Sequence, residues 1–533
     1  MLKKINLQYL RLEFFLILVP IFSFLWHFEN NHLPISDAVG YLDSAYTIYS
    51  YFHHGEYFNF FISIFNERDW RPVFFQVLIV PFLILSAGNL LIAVLLTHVF
   101  FNTLSAIFIF KILSSYIDKF NSLLLALILS LSFNVFFGGE SFPLYSEIAF
   151  IPFLLASLYY MSEKEFLTSK RNAILFSIFF SLTILIRPVE GILFIIVPLL
   201  VLIFEKRKKI LSQKEIIKGF LFPSFFLWLL FASRLIPKTS ESIIKVDPPA
   251  SYETFIILFI FWTFIFAMLF IMYLYKRKEK NNFQKNYLQQ ILFYSSLTIW
   301  AWYTPRFGSL YGWVYQTSIG KQFQYLKNQE YNFSTLFLNI INSNGSIILI
   351  TFFILLVISI ICSIKMKKCS LNNLKIYLKE IKNFVSVFIL STLIPLILYF
   401  TTHQVSYRKI SPVILIFLIF LAVLIFKKIH YKKIFSFTIL FLLLGQSLFL
   451  TNHIYSFHEN ETWKNKNNNF ISNMFLGNGF PHPINSNSNH YDNLIRFMKS
   501  FNLHNSGSKI AIVVNDNAYP IEPYLLKFLC KQN

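Results

Sequence analysis

Long apolar stretches separated by short charged ones run through most of the chain. Apolar runs of up to roughly 24 residues recur near 12–28, 90–113, 122–137, 146–161, 173–186, 190–204, 219–236, 255–275, 287–302, 345–364, 384–400, 411–426 and 434–450. Within each run the apolar residues face every direction, without the alternation of a barrel strand. Helices and closed barrels are the structures that satisfy their backbone polar groups inside lipid, so the pattern predicts spanning helices. The stretch 73–87 is different. It carries Pro81, follows Arg71-Pro72, and is shorter than the ~20 residues a span needs, so it reads as an interfacial or re-entrant helix.

Basic residues then decide the sidedness. With 73–87 at the interface and the N-terminus inside, the loops on the N-terminal side hold 29 lysines and arginines, the opposite loops hold 11, and the tail 451–533 holds 7. If 73–87 spanned, every later cluster would move to the wrong side under the positive-inside rule. The expected architecture is an all-α polytopic membrane protein with about thirteen transmembrane helices, N-terminus cytoplasmic and C-terminus periplasmic or extracellular. The first apolar run lacks a small-residue cleavage site before His32 and reads as an uncleaved span.

Composition agrees. The chain is 56% hydrophobic and only 14% charged, too little polar surface for a water-soluble globule of 533 residues. The net charge of +21 does not indicate nucleic-acid binding, because the basic residues lie in interspan clusters such as Lys206-Arg207-Lys208-Lys209 and Lys276-Arg277-Lys278. Cys362, Cys369 and Cys530 are too scattered for a disulfide framework or a zinc site. Two domains are expected. Residues 1–450 form the transmembrane part, with a first outer loop 29–89. Residues 451–533 form an outer appendage: a polar linker over 458–490, a strand at 509–514 and a short helix at 522–530, together a small α/β unit.

Acidic residues are few, and they collect at the expected outer ends of the spans. These are Asp37 and Asp43 in the first loop, Glu67 and Asp69, Glu140 and Glu147 around the fourth span, and Glu190; Arg71, Arg187, Arg306 and Arg408 share that level. Guanidinium forks suit a phosphate or pyrophosphate, and a carboxylate can deprotonate an acceptor hydroxyl or amine. Plainer roles stand beside these. Glu147 opens a helix after Ser146 and can complement its dipole. Arg306 and Arg408 can be snorkelling anchors, and Asp37 can cap a helix over 38–52. His53 and His54 are adjacent loop residues without metal-ligand spacing, and His98 within a span reads as a packed or helix-bonded histidine. There is no Walker, dinucleotide-glycine or HExxH pattern, and no metal or cofactor is expected.

At these positions the chain resembles the GT-C superfamily of integral-membrane glycosyltransferases, in the branch of protein O-mannosyltransferases and the aminoarabinose transferase of lipid A. Four segments carry the likeness: Ser36-Asp37 with Tyr41 after the first span; Arg71-Pro72 ahead of an apolar helix ending at Gly88; Ser146-Glu147 at the start of the fourth span; and Arg187-Pro188-Val189-Glu190-Gly191 between the fifth and sixth. It covers most of the first 210 residues. The family's pattern often has an acidic pair at the first site and a basic residue before the tyrosine, whereas this chain has Ala38 and Gly40.

The resemblance implies a GT-C-like fold in a bacterial inner membrane and an inverting transfer of sugar from a polyprenyl-phosphate donor to a lipid, glycan or protein acceptor, without a metal. It implies Asp37 as the catalytic general base and Glu147 as a second catalytic carboxylate that orients the acceptor or the sugar. Tyr41, Asp43, Arg71, Glu140, Arg187, Arg306 and Arg408 would bind substrate, with Arg71 on the lipid phosphate. A flippase or transporter of lipid-linked glycans, and a glycan polymerase relying on outer-loop arginines, stay open as rival readings.

Overall fold

The structure is a computed structural model. It describes residues 13–29, 37–66, 74–136, most of 144–202, five positions between 291 and 302, and 346–365, 382–401, 407–428 and 432–455. Among these residues every element is helical. A 3-10 turn, Phe14–Ile17, leads into α1 (Leu18–Glu29), and α2 (Asp37–His53), α3 (Tyr57–Asn66) and α4 (Phe75–Leu85) follow. Next come α5 (Leu90–Ser114), α6 (Lys119–Ser130), the single turn α7 (Phe133–Phe136), α8 (Glu147–Ser162) and α9 (Lys170–Ile186). The later helices are α10 (Ser346–Lys365), α11 (Lys382–Thr401), α12 (Tyr407–Lys428) and α13 (Lys432–Tyr455). The expected spans at 219–236 and 255–275, the loops at 237–253 and 303–333, and the strand and helix of the tail lie outside the described residues.

Local chemistry sets the boundaries. Asn89 caps α5 by accepting from the Ile92 amide at 3.1 Å, and Asp118 caps α6 through the Asn121 amide at 3.1 Å. Ahead of α5 the chain reverses at Gly88, whose φ is +83°, and a side chain there would meet the Tyr49 ring at 2.8 Å. The apolar run at 73–87 is the separate helix α4, only about 16 Å long and too short to cross a bilayer core of about 30 Å.

Three expected boundaries change. The run 122–137 is not one helix: it breaks after Ser130 and resumes as α7. At the break Ser132 turns its hydroxyl back onto the Leu129 carbonyl at 2.6 Å, and at the end of α7 Asn102 of α5 takes the Phe136 carbonyl at 3.1 Å. Asp37 is the first residue of α2 rather than a cap preceding it. The last helix runs on to Tyr455, past the expected domain boundary at 450.

α5 is the organising helix, packed against α1, α4, α6 and α8, while α8 pairs with α9, α12 with α10 and α11, and α13 with α6. One end of this bundle gathers Glu13 and Lys119, 4.0 Å apart, with Tyr116 donating to the Ser162 carbonyl at 3.5 Å. Those are the loops expected to share the lysine-rich side. By length and composition one helix among the described residues, α5, is long and apolar enough to cross a membrane. Several shorter ones are apolar on both faces. In α13, Phe437, Phe441, Leu444 and Leu448 are exposed while Ile439, Leu442, Leu443 and Leu450 are buried. In α10, Phe353, Ile354 and Val357 are exposed opposite buried Ile348, Phe352 and Leu355.

Candidate functional site

At the other end of the bundle, the C-terminus of α9 meets the N-terminus of α8. Helix α9 ends because Arg187 leaves helical geometry at φ −140° and ψ 90°, although its amide still donates to the Thr183 carbonyl at 3.0 Å. The Gly191 amide then donates to the Arg187 carbonyl at 2.7 Å, closing a turn. A side chain at Gly191 would stand 3.0 Å from the Ile184 backbone, so the close return depends on glycine.

This turn aims Arg187 at the start of α8. Its Nη2 pairs with Oε1 of Glu147, its Nη1 with Oε1 of Glu190 at 2.7 Å, and its Nε donates to Ser146 Oγ at 3.2 Å. Ser146 in turn donates to Oε2 of Glu147 at 3.2 Å. Both oxygens of the Glu147 carboxylate are therefore held, one directly by the guanidinium and one through the serine. Ser146 occupies the cap position of α8 but bonds no backbone amide there. Glu147 is 1% exposed and Glu190 5%, so removing this guanidinium would take a charge partner from two buried carboxylates.

Glu147 does lie in the first turn of α8, where the dipole favours an acid. The arginine pair is a second and stronger tie. Sequence reasoning placed Glu190 at the right level but outside the site. Its signal was the spacing of three from Arg187 on a turn.

Backbone and ring contacts bring further segments to this end. The Phe74 amide donates to the Leu185 carbonyl at 2.9 Å, which seats the entry of α4 beside the end of α9. The Phe74 ring meets Trp302 edge-on at 4.8 Å between centroids, and Phe75 meets Tyr41 at 5.3 Å. Tyr41 is buried on α2, one helical turn after Asp37. Asp43 is half-buried, about 200° around α2 from Tyr41, so these two candidates do not share a face.

The side chain of Asp37 lies outside the described residues, as does that of Arg408, the second residue of α12. Arg71, Glu140 and Arg306 lie outside them altogether. Among the described residues no group of three or more His, Cys, Asp or Glu is placed to hold a metal ion. His98 is packed against the His27 ring at 4.1 Å, and its Nε2 accepts the Leu144 amide at 2.9 Å, across 46 residues. Compared with known proteins, the chain matches no family model, no curated protein and no solved structure.

Proposed function

We propose that this protein is a polytopic membrane glycosyltransferase of GT-C type, moving a sugar from a polyprenyl-phosphate donor to a lipid, glycan or protein acceptor at the non-cytoplasmic face. The membrane reading is supported by helices with apolar residues on both buried and exposed faces, since a helix in water keeps a polar face. The catalytic reading is carried by one observation. Phe74, three residues after Arg71, touches both Leu185 and Trp302, while its neighbour Phe75 touches Tyr41. Tyr41, Phe75, Phe74, Leu185 and Trp302 thus meet at the end of the bundle that holds the Glu147 cluster, and Asp37, Arg71, Arg187 and Arg306 each lie within four residues in sequence of one of them.

In this reading Asp37 takes the proton from the acceptor nucleophile as it attacks the anomeric carbon, and the bond to the lipid phosphate breaks on the opposite face. Negative charge grows on the departing phosphate, so fixed guanidinium groups act mainly in the transition state. Arg71, with Arg306 and Arg408, supplies them. Arg187 is engaged by Glu147 and Glu190 and builds the wall of the site.

The test is sugar transfer from a radiolabelled polyprenyl-phosphate donor in membranes holding the full chain. Asp37→Asn and Arg71→Ala should each lower the rate on the order of 10²-fold or more. Transfer at the parental rate in both variants would overturn the reading. Label crossing the bilayer without any transfer would favour a transporter instead.

A further inference from the structure

The buried polar side chains on successive turns of α5 are not used by that mechanism, yet they hold backbone next to the site. His98 and Asn102 are fully buried, and so are His27 and Ser23 of α1 facing them. Asn102 donates to Ser23 Oγ at 3.2 Å and to the Phe136 carbonyl at 3.1 Å. His98 accepts the Leu144 amide through Nε2 at 2.9 Å, which requires the imidazole to carry its proton on Nδ1. The His27 ring packs on the His98 ring at 4.1 Å and is itself met edge-on by Trp26 at 4.7 Å, so α1 fixes the plane of the imidazole.

What His98 holds is unusual. Leu144 has φ +72°, a conformation that residues with side chains rarely adopt and that persists only where its surroundings impose it. Two residues later comes Ser146, and then Glu147, both bound to Arg187. A shift in the backbone at Leu144 would carry directly into the serine that bridges Arg187 to Glu147.

We propose that His98 is a positioning residue for the Ser146–Glu147–Arg187 chain, acting through the Leu144 amide. The consequence for sugar transfer rests on the reading above, whereas the bond and its effect on Arg187 do not. An acceptor at position 98 is the requirement, and a histidine that merely filled space could be replaced by any apolar side chain of similar size.

The experiment measures how fast phenylglyoxal modifies Arg187 in the detergent-solubilised full chain, read by mass spectrometry of the Arg187 peptide. His98→Leu should speed modification on the order of tenfold, the factor that one buried hydrogen bond is worth. His98→Gln, whose Oε1 can accept the same amide, should stay near the parent. Gln446→Leu, which removes a buried bond to the Ile128 carbonyl on α6, should leave Arg187 unchanged. Parental reactivity in a folded His98→Leu protein, or no rescue by glutamine, would overturn the proposal. Should His98→Leu not fold, hydrogen exchange in the parent decides: the Leu144 amide should exchange as slowly as core helix amides, and exchange at loop rates would equally sink it. Absence of transfer by the parent chain would remove the glycosyltransferase reading and leave both of these readouts standing.

Discussion

Arg187 and Glu147, forty residues apart in sequence, form a buried ion pair that ties the end of α9 to the start of α8. Glu190 binds the same guanidinium, so one cation serves two buried carboxylates. Such a group is asymmetric in its response to mutation. Losing one carboxylate leaves the cation paired with the other, whereas losing the cation takes the same partner from both acids at once.

Arg187→Ala should therefore destabilise the protein by about 3–5 kcal/mol, the cost of breaking a buried ion pair by removing one partner. Glu190→Gln should cost distinctly less, because Glu147 remains paired. Many large proteins unfold irreversibly, so the comparison is made as the fraction staying monodisperse in detergent after a heating series. Equal losses in the two variants would contradict the asymmetry.

Gly88 carries a second sharp dependence. Its φ of +83° penalises any side chain, and an added methyl group would lie 2.8 Å from the Tyr49 ring. Gly88→Ala should cost roughly 1–3 kcal/mol from backbone strain and overpacking together. Adding Tyr49→Leu should recover the steric part and leave the backbone part. Full recovery in the double variant, read by the same heating series, would show that the left-handed turn is not strained.

Much of the helical plan was legible in the sequence, because an apolar run bounded by Asn89 or Asp118 announces both a helix and its start. The break after Ser130 was not, since the apolar pattern runs on through 131–136 while Ser132 turns its hydroxyl back onto the Leu129 carbonyl. The acids and arginines of the candidate site were visible as a level along the chain, but not their pairing. Nothing local says that Arg187 reaches back forty residues to Glu147 while Asp43 turns to a different face from Tyr41. His98 was the least legible of all: a lone histidine in an apolar run has no pattern that reveals a backbone amide 46 residues away.

Sidedness gives a direct check on the membrane reading. Glu13, Tyr116, Lys119 and Ser162 share one end of the bundle. Single cysteines placed at Lys119 and Asn89, in a chain lacking Cys362, Cys369 and Cys530, should label with an impermeant reagent from opposite sides of sealed vesicles. Labelling of both from the same side would remove α5 as a span.

Tyr116 gives the pH-dependent case. Burial pushes its phenol up to about 12, against an ordinary value near 10, because the phenolate would lose its hydration between α5 and α8. The folded chain thus holds this proton more tightly than the unfolded chain does. The stability it contributes is fully present below about pH 10 and is lost as pH rises towards 12. Lysines also titrate in that window, so the parent alone cannot isolate the effect. Tyr116→Phe removes the phenol while keeping the ring that packs on Phe384 at 4.5 Å between centroids. Heat resistance of this variant should fall less steeply than that of the parent between pH 10 and 12, and parallel slopes would show that the phenol ionises without cost in the folded state.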